Sequence, residues 1–186
     1  MKNNKMIAMM LTMSMLAAAF AGCLGGDDED DTPDWSISMA SDISADFVES
    51  AWDPIIPNLN AGDMCDAIIS AMTKTDEREQ AVDFTRAYYT SSQGVIGGSG
   101  AASISAVEDL NAEGTTIGVQ SGTTSDLYAQ NNLGAATISA YDDFPSVIAA
   151  LNNGDVHYAM GDAPVLSLEG TLMVTFSDEN FGMAVQ

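Results

Sequence analysis

The chain has 186 residues, of which 46% are hydrophobic. That suits one or two small globular domains and excludes a disordered chain. The formal net charge is -22, from 27 acidic and 5 basic residues, and it excludes the basic face that a nucleic-acid partner requires.

In chain order, Lys2 and Lys5 come first, followed by an apolar stretch over residues 6–20 and then Ala21, Gly22 and Cys23. This layout reads as an export leader over residues 1–22, outside the fold. The stretch is short for a spanning helix, which needs about 20 apolar residues. Small residues before a cysteine resemble a lipoprotein processing site, where Cys23 becomes the new N-terminus and carries lipid. A plain signal peptide or an uncleaved anchor helix are the other readings. Residues 23–34 hold two glycines and the acidic run Asp27-Asp-Glu-Asp-Asp31, which reads as a solvated tether. The other cysteine, Cys65, reads as a small buried hydrophobe, and no zinc or redox spacing exists.

From about Trp35 the composition becomes globular. Residues 45–49 alternate like a strand. Asp53-Pro54 predicts a helix start, with Asp53 as N-cap, Ile55, Ile56 and Leu59 on the apolar side and Gly62 at the end. Residues 67–69 predict a buried strand, 77–82 a short helix and 94–97 another strand. Residues 116–119 predict a strand and 123–130 the helix after it. A strand over 138–140, a helix over 145–151 closed by Gly154, and a strand over 156–160 complete the series. This alternation predicts an α/β fold with largely parallel pairing.

A faint repeat links Leu59-Asn-Ala-Gly-Asp63 to Leu151-Asn-Asn-Gly-Asp155, each between a helix and a strand. Ser70 lies eleven residues after Leu59, and Asp162 eleven after Leu151. Both fall at the carboxyl ends of strands, where open α/β sheets bind ligands. Two similar halves predict a cleft between two lobes.

Outside the leader, the basic residues are Lys74, Arg78 and Arg86. A carboxylate site must use one of them or backbone amides, and the planar fork of Arg78 suits it best. Lys74 and Arg86 read as solvated or paired with acidic neighbours. Gln120-Ser-Gly-Thr-Thr-Ser125 joins a strand to a helix, a turn that can offer backbone N–H groups to a ligand or simply cap the helix. It lacks the lysine of a phosphate loop. Asp162 can accept from an ammonium group or cap a helix before Pro164. Trp52 can stack on a ligand or sit in the core. His157 reads as a packed or edge residue with no Ser-His-Asp context. No metal-ligand spacing is present, and no cofactor is implied.

Asp66-Ala-Ile-Ile-Ser-Ala-Met-Thr-Lys-Thr-Asp-Glu-Arg78, with Ala81-Val-Asp-Phe-Thr85 and Tyr88-Tyr-Thr-Ser91, resembles the family 3 extracellular solute-binding proteins, which serve ABC transporters for polar amino acids. Ile117-Gly-Val-Gln-Ser-Gly-Thr-Thr124 and Gly161-Asp-Ala-Pro164 resemble two further motifs of that family in the same order. The resemblance covers roughly residues 47–185. It implies the type II periplasmic binding protein fold, with two α/β lobes and a hinge. By motif, Arg78 would grip the α-carboxylate of an amino acid, assisted by Thr73 and the backbone near Ser70. Thr123 and Thr124 would add donors from the other lobe. Asp162 would accept from the α-ammonium, Trp52 would pack over the ligand and Gln120 would read its side chain. The implied partners are an amino acid, a membrane permease and a lipid anchor on the outer face of the cell membrane, the receptor being a monomer.

The expected divisions are a partial first lobe over 35–95, a second lobe over 96–182 and the start of a return strand over 183–186. The first lobe looks incomplete, because little chain precedes residue 45 and the sequence ends near the second crossing. A sensing domain of the same fold, an enzyme on this scaffold and a degenerate copy that binds nothing are the alternatives.

Overall fold

The computed structural model describes residues 6–10, 45–62 and 64–186. Cys23 and the acidic tether lie outside the described residues. The chain folds into two five-stranded sheets. The first has strand order β2-β1-β3-β10-β4, from β1 (Met6–Met10), β2 (Ala45–Glu49), β3 (Ala67–Ile68), β4 (Asp83–Phe84) and β10 (Ala184–Val185). The second has order β7-β6-β8-β5-β9, from β5 (Tyr89–Gly97), β6 (Thr116–Gln120), β7 (Thr137–Tyr141), β8 (Tyr158–Asp162) and β9 (Leu172–Phe181).

The expected parallel pairing covers only part of the molecule. β1 pairs parallel with β2 and β3, and β6 with β7 and β8. β5 runs antiparallel to β8 and β9, and β10 antiparallel to β3 and β4. The correction has a topological cause. The chain leaves the first sheet through β5 and returns through β9, so the two crossings lie antiparallel at the hinge. β5 belongs to the second sheet from Tyr89 onward, a few residues before the lobe boundary expected at residue 96.

Met6–Met10, within the apolar stretch read from the sequence as an export leader outside the fold, instead forms β1 between β2 and β3. Among the described residues β2 pairs with β1 alone, so the ladder of β2 there depends on that segment.

Helix α1 (Ile55–Ala61) packs Ile55 and Leu59 into the first core with Cys65, Ile68, Met72, Val82 and Ala184. It ends at Gly62 in the left-handed region, as expected. Its start differs: Pro54 holds the N-cap position, no side chain caps the helix, and Asp53 Oδ1 lies beside Gly122. Cys65 is buried, and burial, then the charge of Asp66, push its thiol up.

The second sheet is covered on both faces. Helix α2 (Thr124–Asn132) lies on the side of Val95, Val119 and Met160. Helices α3 (Phe144–Asn153) and α4 (Ala163–Glu169) lie on the side of Ile96, Ala159 and Leu166. Val95 and Ile96 point to opposite faces, as the strand period of two requires. Each such side chain, fully buried, contributes about 1.5–3 kcal/mol. Gly154 ends α3 with the same left-handed cap as Gly62, so the helix-turn-strand repeat is structural as well as sequential.

Candidate functional site

A cleft of about 670 Å³ lies between the sheets, within the range usual for small-molecule sites. Trp52, Ser70, Thr73 and Arg78 line it from the first sheet, and Gln120, Thr123, Thr124 and Asp162 from the second. All eight side chains selected from the sequence therefore surround one space.

Arg78 opens a short 3-10 turn, Arg78–Gln80, where the sequence predicted a longer helix. Its Nη1 donates to the Thr73 carbonyl at 2.8 Å and its Nη2 to the Gly122 carbonyl at 3.3 Å. Its guanidinium carbon lies 5.1 Å from the centroid of the Trp52 ring. Burial lowers its pKa, opposed by the charges of Glu179, Asp162 and Glu77. Trp52 Nε1 also donates to the Gly122 carbonyl, at 3.1 Å. One oxygen of the second sheet's turn thus accepts from two side chains of the other half.

Gly122 is required there twice over. Its φ of +67° is one that residues bearing a side chain rarely adopt, and an added Cβ would sit 3.2 Å from Asp53 Oδ1. Around it, Thr123 caps α2, accepting from Asp126 N and donating to the Gln120 carbonyl. The capping reading of Thr123 is therefore realised even as the residue lines the cleft.

Asp162 ends β8. It occupies the N-cap position of α4 but makes no side-chain cap bond. Its Oδ1 instead accepts from Gln93 Nε2 at 2.8 Å. β5 and β8 place Gln93 directly opposite Asp162, so the bond is a cross-strand pair. Burial pushes the Asp162 carboxyl up to about 6, and Glu179 adds to this, while Gln93 and Arg78 pull it down.

The Ser70 hydroxyl is buried and has no hydrogen-bond partner. The adjacent amide, Ala71 N, is taken by Tyr88 Oη at 3.0 Å. Thr73 is buried and holds Arg78 through its carbonyl. Gln120 is buried at the end of β6 and donates to the Asp142 carbonyl at 3.4 Å.

Two residues were missed from the sequence. Gln93, 1% exposed, donates to both Asp162 and Thr124 and accepts from Ser125. Glu179, 3% exposed, accepts from Thr124 and Ser177. Strand alternation was the available signal: Glu179 shares a buried face with Phe181, while Asp178 and Asn180 on either side of Glu179 are exposed. Lys74 pairs with Glu79 at 3.9 Å and stands outside the cleft lining, and His157 Nδ1 meets Thr116 far along the sheet.

The model of the bacterial extracellular solute-binding proteins, family 3, matches residues 36–141. The chain is 29% identical over 163 residues to a probable histidine-binding protein of Neisseria gonorrhoeae, covering 81% of this chain and 60% of the relative. It is 34% identical over 149 residues to a probable histidine-binding protein of Campylobacter jejuni, covering 78% and 57%. It thus spans about three-fifths of the length of these relatives. Among solved structures, an ancestral arginine-binding protein bound to arginine superposes with a TM-score of 0.72 at 29% identity, covering 78% of this chain and 68% of that one. Its fold is the two-lobed fold seen here, and the chain belongs to the bacterial extracellular solute-binding proteins, family 3.

Proposed function

We propose that the protein is an extracytoplasmic receptor that captures a polar amino acid and delivers it to an ABC-type permease, without catalysing a reaction. The observation that carries this reading is the placement of Arg78 and Asp162 on opposite sheets around one cleft. A guanidinium suits an α-carboxylate and a carboxylate suits an α-ammonium. Ser70, with its unpartnered hydroxyl, Thr73 and Thr124 add polar groups between them, and Trp52 supplies an apolar wall. Relatives whose names state histidine or arginine binding support the class of ligand.

In this reading residues 1–22 are the export leader and Cys23 carries the lipid that holds the receptor at the membrane. The acidic tether of 23–34 leads to lobe 1 over 35–95 and lobe 2 over 96–182, with residues 183–186 starting the return strand. The receptor acts as a monomer.

Titration calorimetry against the common amino acids tests the reading, with Arg78→Ala as the control. Removing a buried, hydrogen-bonded charge partner costs about 2–5 kcal/mol, so affinity should drop by roughly 30-fold or more. An unchanged affinity in Arg78→Ala, or no amino acid bound by the parent protein, rejects the assignment. Cys23→Ser should release the protein from the membrane fraction, and retention there rejects the lipid anchor.

A further inference from the structure

The anchors above account for the α-groups of an amino acid but not for the rest of the wall. Glu49 at the end of β2, Asp142 just after β7 and Glu169 at the end of α4 also line the cleft. All three are exposed, and their carboxylates have no hydrogen-bond or ion-pair partner among the described residues. Neighbouring Asp143 differs, because its Oδ1 is committed to Ser146 N as the cap of α3.

Arg78 is the only cationic side chain in the lining, and Asp162 and buried Glu179 already lie close enough to act on its charge. An α-carboxylate on Arg78 and an α-ammonium on Asp162 would cancel four charges. Glu49, Asp142 and Glu169 would remain uncompensated, and buried Glu179 adds its charge near Arg78 and Asp162. Gln120 adds a neutral acceptor. Its Nε2 faces the Asp142 carbonyl, which fixes the amide orientation and leaves Oε1 available to an incoming N–H. The buried, unpartnered Ser70 hydroxyl is independent indication that a ligand completes this wall.

Resting on the amino-acid reading above, we infer that the solute carries a second positive charge on its side chain, and that an acidic side chain is rejected. The recognising chemistry is long-range as well as local. Each partly solvated carboxylate contributes modestly to a nearby cation, and three together favour it over a neutral isostere by on the order of tenfold. The same field repels a side-chain carboxylate and steers cations toward the cleft.

The experiment is calorimetric titration of the full chain with L-arginine, L-lysine, L-glutamine and L-glutamate at low and high salt. Arginine or lysine should bind on the order of tenfold tighter than glutamine, with glutamate weakest, and the gap should narrow in high salt. The triple variant Glu49→Gln, Asp142→Asn, Glu169→Gln changes exposed positions only, and circular dichroism verifies its fold. It should reduce the arginine-to-glutamine preference by about tenfold. Glutamine or glutamate binding as tightly as arginine overturns the inference and leaves the amino-acid reading standing, as does a triple variant that keeps the full preference. Absence of binding by every amino acid overturns both.

Discussion

Asp162 sets the pH behaviour of the site. Its ordinary pKa of 3.8 applies to the unfolded chain, and in the fold it rises to about 6. The folded protein therefore holds that proton more tightly. Its contribution to stability is present below pH 3.8 and is lost as pH rises through 6. On the proposed reading, ligand affinity runs the other way, because an ammonium group needs the anion. Affinity should climb through pH 6 and level off above it, and Asp162→Asn should abolish that climb along with most of the binding. At neutral pH the same variant should melt about 2–4 °C higher when empty, a gain of ~1 kcal/mol. A lower melting temperature in Asp162→Asn would show that the buried charge stabilises the empty fold. Arg78 was legible in the sequence because the globular part has so few cations, and Asp162 because the helix-turn-strand repeat puts it, like Ser70, at a strand end. Gln93 and Glu179 were not. Both belong to the hinge strands, where local composition reads as polar connection; the pairing of β5 with β8 and β9 turns those side chains inward, and the alternation around Glu179 is a short local sign of it.

Among the elements, β5 is closely packed at Gly94. A Cβ on Gly94 would lie 2.8 Å from Leu172 Cδ2 and 3.2 Å from the Ala163 backbone. Gly94→Ala should destabilise by about 1–3 kcal/mol, read by denaturant midpoint, since α4 must move off the strand to make room. Phe47 on β2 gives the opposite case at 63% exposure. Phe47→Ser should change stability by within ~0.5 kcal/mol while reducing self-association, checked by melts and light scattering. Helix ends and strands with clear periodicity were readable: Gly62 and Gly154 end their helices where expected. The Asp53 cap is not realised, since Pro54 takes the N-cap position of α1. α4 was missed because Pro164 so near its start resembled a turn, although a proline in the first helical turn is well tolerated. β9 was missed because a bulge opposite Ser92 and Gln93 interrupts its period and places Ser177 at a φ of +56°.

For the whole molecule, two features override local pattern. The net charge of -22 makes the compact state self-repelling, so the melting temperature should rise with added salt until the repulsion is screened. The first sheet also depends on a segment with two possible destinations. Met6–Met10 reads as part of an export leader, yet it supplies the ladder of β2. A chain beginning at Cys23 should therefore protect residues 45–49 less well in hydrogen exchange than the full chain does. Equal protection would show that β2 holds without β1. The carbonyl of Gly122, bonded by both Trp52 and Arg78, offers a readout of its own. When the halves part, the indole loses its acceptor and meets water, while Arg78, which lines the cleft from the same half, stays beside it. In a Trp35→Phe background, emission from Trp52 alone should shift red on opening and blue on closure. The chain thereby carries an intrinsic optical gauge of how far its jaws stand apart.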